Sequence, residues 1–223
     1  GDQVLFELAK GTDRSGTSID ADTLFWIGSI SKQFVGAAAV RLASQGKLKV
    51  SDPVAKHIPN WPEDALRHGG VDCTVELLLS HQCGMPRELS QPLSYRGHLT
   101  DPNRESALLE RLNGMALEFT PGTDRQYSNV GFNLAALMIA KISGGSYEAY
   151  LEREFIGPMG LENTGINPAG TKDFRHRLAP GHLLTLWGPM RSDRWGWIPP
   201  ELPSQFGGAG NIYSTATELE RWT

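Results

Sequence analysis

The 223-residue chain has 39% hydrophobic and 21% charged residues, a formal net charge of -4 and an isoelectric point near 5.9. This balance is typical of a globular protein and excludes the collagen-like, disordered and strongly basic nucleic-acid-binding classes. No run of 18 apolar residues predicts a membrane-spanning helix. We therefore expect one or two compact domains and no nucleic-acid partner.

The predicted elements begin with an apolar strand over residues 4–8, which leads into a polar turn at residues 12–20. The strongest helical pattern follows at residues 29–44, where small and apolar side chains recur at helical spacing until Gly46 ends the helix. Because polar side chains are rare on the inner stripe of this helix, we expect it to be buried.

Further helices are predicted by the same spacing, with Ser146 as the cap of the last one, over residues 75–80, 103–113, 130–143 and 147–155. Residues 163–206 are rich in Pro, Gly and Trp and predict an extended surface excursion. A flexible turn at residues 207–210 then precedes a capping box formed by Thr215 and Glu218, which predicts a final helix.

Cys73 and Cys83 lie outside any zinc-ligand spacing and are predicted to be free buried thiols. The histidines form no metal-binding pair and are interpreted mostly as surface or structural residues: His57, His68, His81, His98, His176 and His182. The sequence therefore predicts neither a metal site nor a cofactor.

A serine nucleophile is predicted at Ser29, the first residue of the buried helix. A helix start leaves the backbone N–H of this residue unpaired, and the helix dipole adds positive potential there. Lys32, one turn along on the same face, brings an amine within reach of the hydroxyl. A lysine with a depressed pKa could be the base, or a charged lysine could support another base such as Tyr127, and the residues leave both mechanisms open.

A second Ser-x-x-Lys copy, from Ser44 to Lys47, shows that the spacing is weak by itself. It spans Gly46, which ends the helix, and it lies where the helix dipole is negative. We expect this copy to be a solvated helix end. The position of Ser29 at a buried helix start, and not the tetrapeptide, therefore carries the prediction.

The context of Ser29 resembles the class C serine β-lactamases, the DD-peptidases and the related β-lactamase-like esterases. Four blocks in the same order carry the resemblance, which extends over nearly the whole chain: residues 23–32, 78–85, 121–129 and 207–215. The resemblance implies an α+β fold, with a helical domain and part of an antiparallel sheet. We expect residues 1–28 to supply the first strands, residues 29–206 to form the helical domain with long substrate-side loops, and residues 207–223 to return towards the sheet.

The same resemblance implies roles for single residues. Ser29 would be the acylated nucleophile, Lys32 its proton partner, Tyr127 the general base and Asn129 a hydrogen-bond donor to the amide oxygen of the substrate. Each role has a structural alternative: Tyr127 could be a packed aromatic residue, and Asn129 could cap the helix that starts at residue 130. The family usually has a serine where Cys83 stands, and this predicts a packing thiol there.

One motif of the family, a Lys or His followed by a small residue and Gly, has no equivalent in these residues. In the family its backbone N–H completes the oxyanion hole. We expect the chain to be incomplete at both ends, and a second chain or missing segment to supply this motif and the rest of the sheet.

The predicted activity is hydrolysis of a small acyl substrate, a β-lactam, a peptide or an ester, through an acyl-enzyme on Ser29. Two alternatives remain open: a promiscuous carboxylesterase, and a penicillin-binding sensor that is acylated without turnover. Trp187, Trp195 and Trp197 could line an acyl pocket or serve packing alone. The resemblance favours a periplasmic or secreted location, and these residues contain no signal-peptide pattern.

Overall fold

The computed structural model describes residues 6–13, 16–88, 104–166, 178–179, 182–185, 188–191 and 208–223. Its helices are α1 (Ser31–Ser44), α2 (Val75–Leu79), α3 (Arg104–Leu112), α4 (Asn129–Ser143), α5 (Tyr147–Leu151) and α6 (Ala216–Trp222). Its strands are β1 (Phe25–Trp26), β2 (Arg67–His68), β3 (Val71–Asp72), β4 (Gly165–Ile166), β5 (His182–Thr185), β6 (Gly188–Arg191) and β7 (Ile212–Ser214). Helices combine with antiparallel strands, so the α+β prediction is confirmed.

The sheet that bears on the site has three antiparallel strands in the order β1-β7-β4. Phe25 of β1 pairs with Ser214, and Gly165 of β4 pairs with Tyr213. The chain after residue 207 thus returns between two strands that lie far from it in sequence. Strand β4 belongs to the segment that we assigned to the helical domain, and the proposed domain bounds stay a prediction.

Helices α1 and α4 form the centre of the main core. Their inner stripes are almost completely inaccessible to solvent and include Val35, Ala38, Leu42, Leu134 and Met138. Helix α2 packs closely on α4, because Gly131 has no side chain to separate it from Leu78. The predicted buried helix is confirmed, although α1 begins at Ser31 and residues Gly28–Ile30 form a 3₁₀ turn before it.

The predicted strand at residues 4–8 lies partly outside the described residues, and residues 6–10 form no strand. Phe6 and Leu8 are instead 81% and 79% exposed. The long excursion predicted after residue 163 is also revised, since it contains β4 and the hairpin of β5 and β6. Trp187, Trp195 and Trp197 lie outside the described residues.

Cys73 and Cys83 form a disulfide, so the prediction of free thiols is wrong. The short helix α2 begins two residues after Cys73, and the turn that follows it brings the chain back until the two Cα atoms are 5.2 Å apart. Both cysteines are buried. The spacing of the cysteines did not predict this disulfide, because the chain reverses direction only where the short helix α2 ends. Within the described ranges, no helix has both the length and the apolar character of a membrane span.

The predicted capping box at the start of α6 is half formed. Thr215 Oγ1 accepts a hydrogen bond from the backbone N–H of Glu218, at 3.1 Å, as expected. The Glu218 carboxylate, however, accepts from the backbone N–H of Asn163 at 2.8 Å and from the hydroxyl of Thr164 at 2.6 Å. Glu218 is 4% exposed. It therefore holds the segment before β4 against α6.

Replacement of Glu218 by alanine is expected to lower the free energy of unfolding by about 3 kcal/mol, because it removes the buried acceptor of several hydrogen bonds. Urea-induced unfolding measures the change. Glu220→Ala is the matched control, since Glu220 is exposed on the same helix. Equal losses for both variants would contradict the role given to Glu218.

Candidate active site

Ser29 is exposed in the 3₁₀ turn Gly28–Ile30, between β1 and the buried helix α1. Gly28 has a φ of +52°, a left-handed conformation that favours glycine and lets the chain turn sharply out of the sheet. Ser29 occupies a position at which a helical turn supplies no carbonyl for the backbone N–H. The exposed Ser29 therefore offers its hydroxyl to a bound molecule, and the helical turn supplies no carbonyl for its N–H.

Lys32 is 8% exposed and directs its ammonium group at three oxygen atoms. Its Nζ donates to Ser29 Oγ at 3.2 Å, to Asn129 Oδ1 at 2.8 Å and to the carbonyl of Ala209 at 2.7 Å. A lysine ammonium has three donors and no acceptor. These contacts give the ammonium group three oxygen acceptors.

Tyr127 comes from a segment 98 residues away and places its Oη 2.5 Å from Ser29 Oγ. Burial alone would raise the pKa of Tyr127, but hydrogen bonding with Lys32 and Ser29, together with the charges of Lys32 and Arg87, lowers this pKa below its ordinary value of 10.0. Lys32 Nζ lies 4.7 Å from the centre of the phenol ring. The phenol is therefore easier to ionise than an ordinary tyrosine.

Asn129 is the first residue of α4, and the helix cap is Ser128. Ser128 Oγ accepts from the N–H of Gly131 at 2.9 Å, so the capping alternative for Asn129 is wrong. The Asn129 side chain is free to face the site. Its Oδ1 accepts from Lys32, and its Nδ2 donates to a carboxylate oxygen of Glu88.

His81 fixes the backbone on either side of Tyr127, through hydrogen bonds with the preceding and the following residue. Its carbonyl accepts from the N–H of Gln126 at 2.9 Å, and its Nδ1 accepts from the N–H of Ser128 at 3.1 Å. The imidazole lies 4.6 Å from the Tyr127 ring, between ring centroids. The general interpretation of His81 as structural stands, but its contact with the site was missed, since 46 residues separate it from Tyr127.

Acid is expected to destabilise the protein through His81. Burial, followed by the charges of Lys32 and Arg125, lowers the pKa of His81 below 6.5. Between pH 6.5 and this lower pKa, the unfolded chain binds a proton that folded His81 does not. The free energy of unfolding should therefore fall as the pH decreases, by at most about 1.4 kcal/mol per pH unit from this residue.

Urea unfolding from pH 7.5 to pH 5 measures this slope. His81→Asn should flatten it, because asparagine keeps an oxygen acceptor and tolerates the φ of +64° found at this position. The control is His68→Asn, at an exposed histidine of β2. A slope that His81→Asn leaves unchanged would contradict the assignment.

The turn at residues 208–210 contributes a contact that sequence analysis missed. The Ala209 carbonyl accepts from Lys32, and its N–H donates to Asn133 Oδ1 at 3.2 Å. A Cβ at Gly208 would lie 2.2 Å from the carbonyl oxygen of Phe132. The glycine thus allows the turn to approach α4, and the predicted flexible turn is an anchored part of the site. A backbone carbonyl carries no side-chain signal that sequence could reveal.

The second Ser-x-x-Lys copy lies outside this arrangement. Ser44 and Lys47 are both exposed, and Ser44 Oγ donates to the Arg41 carbonyl of its own helix at 2.8 Å. Gly46, with a φ of +70°, turns the chain between them. The interpretation of this copy as a solvated helix end is supported.

All four predicted site residues, Ser29, Lys32, Tyr127 and Asn129, are brought together. A hydroxyl in contact with a phenol of lowered pKa and with an ammonium group is suited to nucleophilic attack on an acyl carbon. In the part of the chain that the structure describes, no group of three or more His, Cys, Asp or Glu side chains could hold a metal ion.

The chain belongs to the beta-lactamase family, whose model matches residues 1–223. It is 28% identical over 224 residues to the D-alanyl-D-alanine-carboxypeptidase/endopeptidase AmpH of Escherichia coli K12. That alignment covers 100% of this chain and 54% of the AmpH protein. It is 30% identical over 231 residues to Beta-lactamase-like protein 2 of Dictyostelium discoideum, and this alignment covers 98% of the chain and 39% of that protein.

Solved structures show the same fold. A beta-lactamase/D-alanine carboxypeptidase from Yersinia pestis, complexed with citrate, matches with a TM-score of 0.72 and 26% identity over 91% of this chain and 53% of that chain. The octameric penicillin-binding protein homologue from Pyrococcus abyssi matches with a TM-score of 0.70 and 25% identity, over 93% of this chain and 46% of that chain. The predicted β-lactamase/DD-peptidase-like fold is confirmed, and the chain spans about half the length of the AmpH and Yersinia pestis proteins.

Proposed function

We propose that this chain carries the nucleophile of a serine hydrolase that cleaves acyl substrates through an acyl-enzyme on Ser29. The contact of Ser29 Oγ with both Tyr127 Oη, at 2.5 Å, and Lys32 Nζ, at 3.2 Å, carries the proposal. Membership of the beta-lactamase family supports it. The exposed position of Ser29 gives a substrate access to the hydroxyl.

In the proposed acylation, Tyr127 acts as the base and Lys32 remains charged. Ser29 Oγ forms a bond to the acyl carbon while its proton passes to the Tyr127 phenolate. The bond to the leaving group breaks, and that group takes the proton from Tyr127. Water then attacks the acyl carbon and gives a proton to the Tyr127 phenolate. The bond from the acyl carbon to Ser29 Oγ breaks, and Tyr127 returns the proton to Ser29 Oγ. The Lys32 ammonium group, which donates to Ser29, Asn129 and Ala209 and lowers the pKa of Tyr127, would stabilise the phenolate.

The negative oxygen that forms during attack needs hydrogen-bond donors. The backbone N–H of Ser29 is one proposed donor, and the start of α1 adds positive potential. A second donor would come from the family motif that these residues lack. We predict that a second chain or a further segment supplies that motif. Mass spectrometry of active material tests this prediction: full activity from a single 24.4 kDa species would contradict it.

The substrate is proposed as a small amide or ester acyl compound, and three chromogenic or peptide substrates distinguish the candidates. Time courses are measured with a cephalosporin, a short peptide that ends in D-alanyl-D-alanine, and p-nitrophenyl acetate. Steady turnover of any of them supports a hydrolase, and ester turnover alone supports the carboxylesterase alternative. A stoichiometric burst without turnover would support the acyl-binding sensor. Absence of both burst and turnover would contradict the proposal.

We also propose that the protein acts outside the cytoplasm, in the periplasm or as a secreted protein. The disulfide between Cys73 and Cys83 supports this location, because disulfides persist mainly in oxidising compartments. Fractionation of the cells that produce it, with thiol trapping of both cysteines, tests the proposal. A reduced pair in the cytoplasmic fraction would contradict it.

A further inference from the structure

Glu88 places a carboxylate beside Asn129. The side chain is exposed, and its Oε1 accepts a hydrogen bond from Asn129 Nδ2. Asn129 in turn accepts from Lys32, which donates to Ser29 Oγ. Consecutive hydrogen bonds therefore connect this carboxylate with the nucleophile.

The backbone around Glu88 is fixed to the start of α4. Ser128 Oγ donates to the carbonyl of Pro86 at 2.7 Å, and the N–H of Asn129 donates to the carbonyl of Arg87 at 3.0 Å. The same two residues that begin α4 thus hold the segment that carries the carboxylate. Its position next to Asn129 follows from these bonds as well as from its own side-chain contact.

The contacts of the Asn129 amide define its orientation. An ammonium group can only donate and a carboxylate accepts, so the amide oxygen faces Lys32 and the amide nitrogen faces Glu88. One N–H of the amide is already used by Glu88. A molecule that binds at Asn129 consequently meets a negative charge as well as the remaining N–H.

Two positive charges of the described residues near the site, those of Lys32 and Arg87, have contacts with other groups. Lys32 gives its protons to three oxygens, and the guanidinium of Arg87 lies 5.4 Å from the centre of the Tyr127 ring. The Glu88 carboxylate has acceptor positions beyond the one that Asn129 occupies. A primary ammonium group on a substrate could therefore donate to it in a charge-assisted hydrogen bond.

We infer that Glu88 selects acyl substrates with a free primary ammonium group on the acyl side, such as aminoacyl amides and esters, over N-acylated or anionic ones. The inference rests on the proposed function and on the role that the family resemblance implies for Asn129, a hydrogen-bond donor to the amide oxygen of the substrate. An N-acylated substrate offers no charge to Glu88, and a carboxylate in its place would be repelled.

Kinetics test the selectivity. The p-nitrophenyl esters of alanine and of N-acetylalanine are compared, for both enantiomers, as the ratio of kcat/KM for the free-amino to the N-acetyl ester. Glu88→Gln should lower this ratio about tenfold or more, since a charge-assisted hydrogen bond is replaced by a neutral one. Glu63→Gln removes an equal charge at another exposed position and should keep the wild-type ratio. An unchanged ratio in Glu88→Gln would overturn the inference.

Binding to Ser29→Ala separates this inference from the proposed hydrolysis, because that variant has no nucleophile. Calorimetry with alaninamide and N-acetylalaninamide should show tighter binding of the cationic amide. Adding the Glu88→Gln change should lower the ratio of the two affinities about tenfold. Equal binding of the two amides by Ser29→Ala would overturn the role of Glu88, whatever the wild type hydrolyses. A binding preference without hydrolysis by the wild type would contradict the proposed function alone.

Discussion

Ser29→Ala is expected to lower kcat/KM for every hydrolysed substrate by about 10³-fold or more, since the residues that assist a nucleophile contribute little without it. Lys32 and Tyr127 both contact the Ser29 hydroxyl, so its removal disables the whole group at once. Steady-state hydrolysis of p-nitrophenyl acetate and of the best substrate found measures the effect. The variant should unfold at a urea concentration close to that of the wild type, because Ser29 is exposed.

Ser44→Ala is the control that the chain itself provides. Ser44 has the same Ser-x-x-Lys spacing but donates to the Arg41 carbonyl and lies at the exposed end of α1. Its replacement should leave kcat/KM within about twofold of the wild type, as expected for a surface substitution. Equal activities of Ser29→Ala and the wild type would refute Ser29 as the nucleophile.

Lys32→Met is expected to lower kcat by about 10³-fold and to shift the pH profile of kcat/KM to higher pH. Methionine keeps a long side chain but removes the ammonium group and its three hydrogen bonds. The ammonium lowers the pKa of Tyr127, so its loss raises that pKa. The rise in rate that accompanies ionisation of Tyr127 should therefore shift to higher pH.

The pH profile also decides which residue is the base. If Tyr127 is the base, Lys32→Met keeps a residual activity that rises with pH at a higher midpoint than in the wild type. A profile with an unchanged midpoint, or without any rise, would contradict this role of Tyr127 and favour neutral Lys32 as the base. Lys47→Met, at the exposed lysine of the second copy, should leave both rate and profile unchanged.

Much of the fold could be predicted because the helices have regular patterns and clear ends. Helix α4 begins one residue before its predicted start and ends at the predicted residue, where Gly144 adopts a φ of +75°. The strand predicted at residues 4–8 is not formed in its described part, residues 6–8, since a short apolar run becomes a strand only if a neighbour pairs with it. The Cys73–Cys83 disulfide and the use of the Glu218 carboxylate depend on segments meeting in space, which local patterns do not encode.

In the candidate site too, contacts within one helical turn could be predicted, and contacts between distant segments could not be predicted from local patterns. Ser29 and Lys32 are one helical turn apart, so their proximity could be predicted from spacing. Tyr127 and Asn129 could be placed beside them only through the family resemblance. The contributions of His81, Glu88 and the Ala209 carbonyl were missed, because each reaches the site from a turn or loop whose path is set by tertiary hydrogen bonds.

The most direct test of the central claim is to locate the acyl group. The protein is acid-quenched during turnover of its best substrate, or after exposure to a β-lactam, and its proteolytic peptides are analysed by tandem mass spectrometry. We predict one acyl adduct per chain, on Ser29, and none in the Ser29→Ala variant. An adduct on Tyr127, on Ser44 or on any other residue, with Ser29 unmodified, would contradict the account.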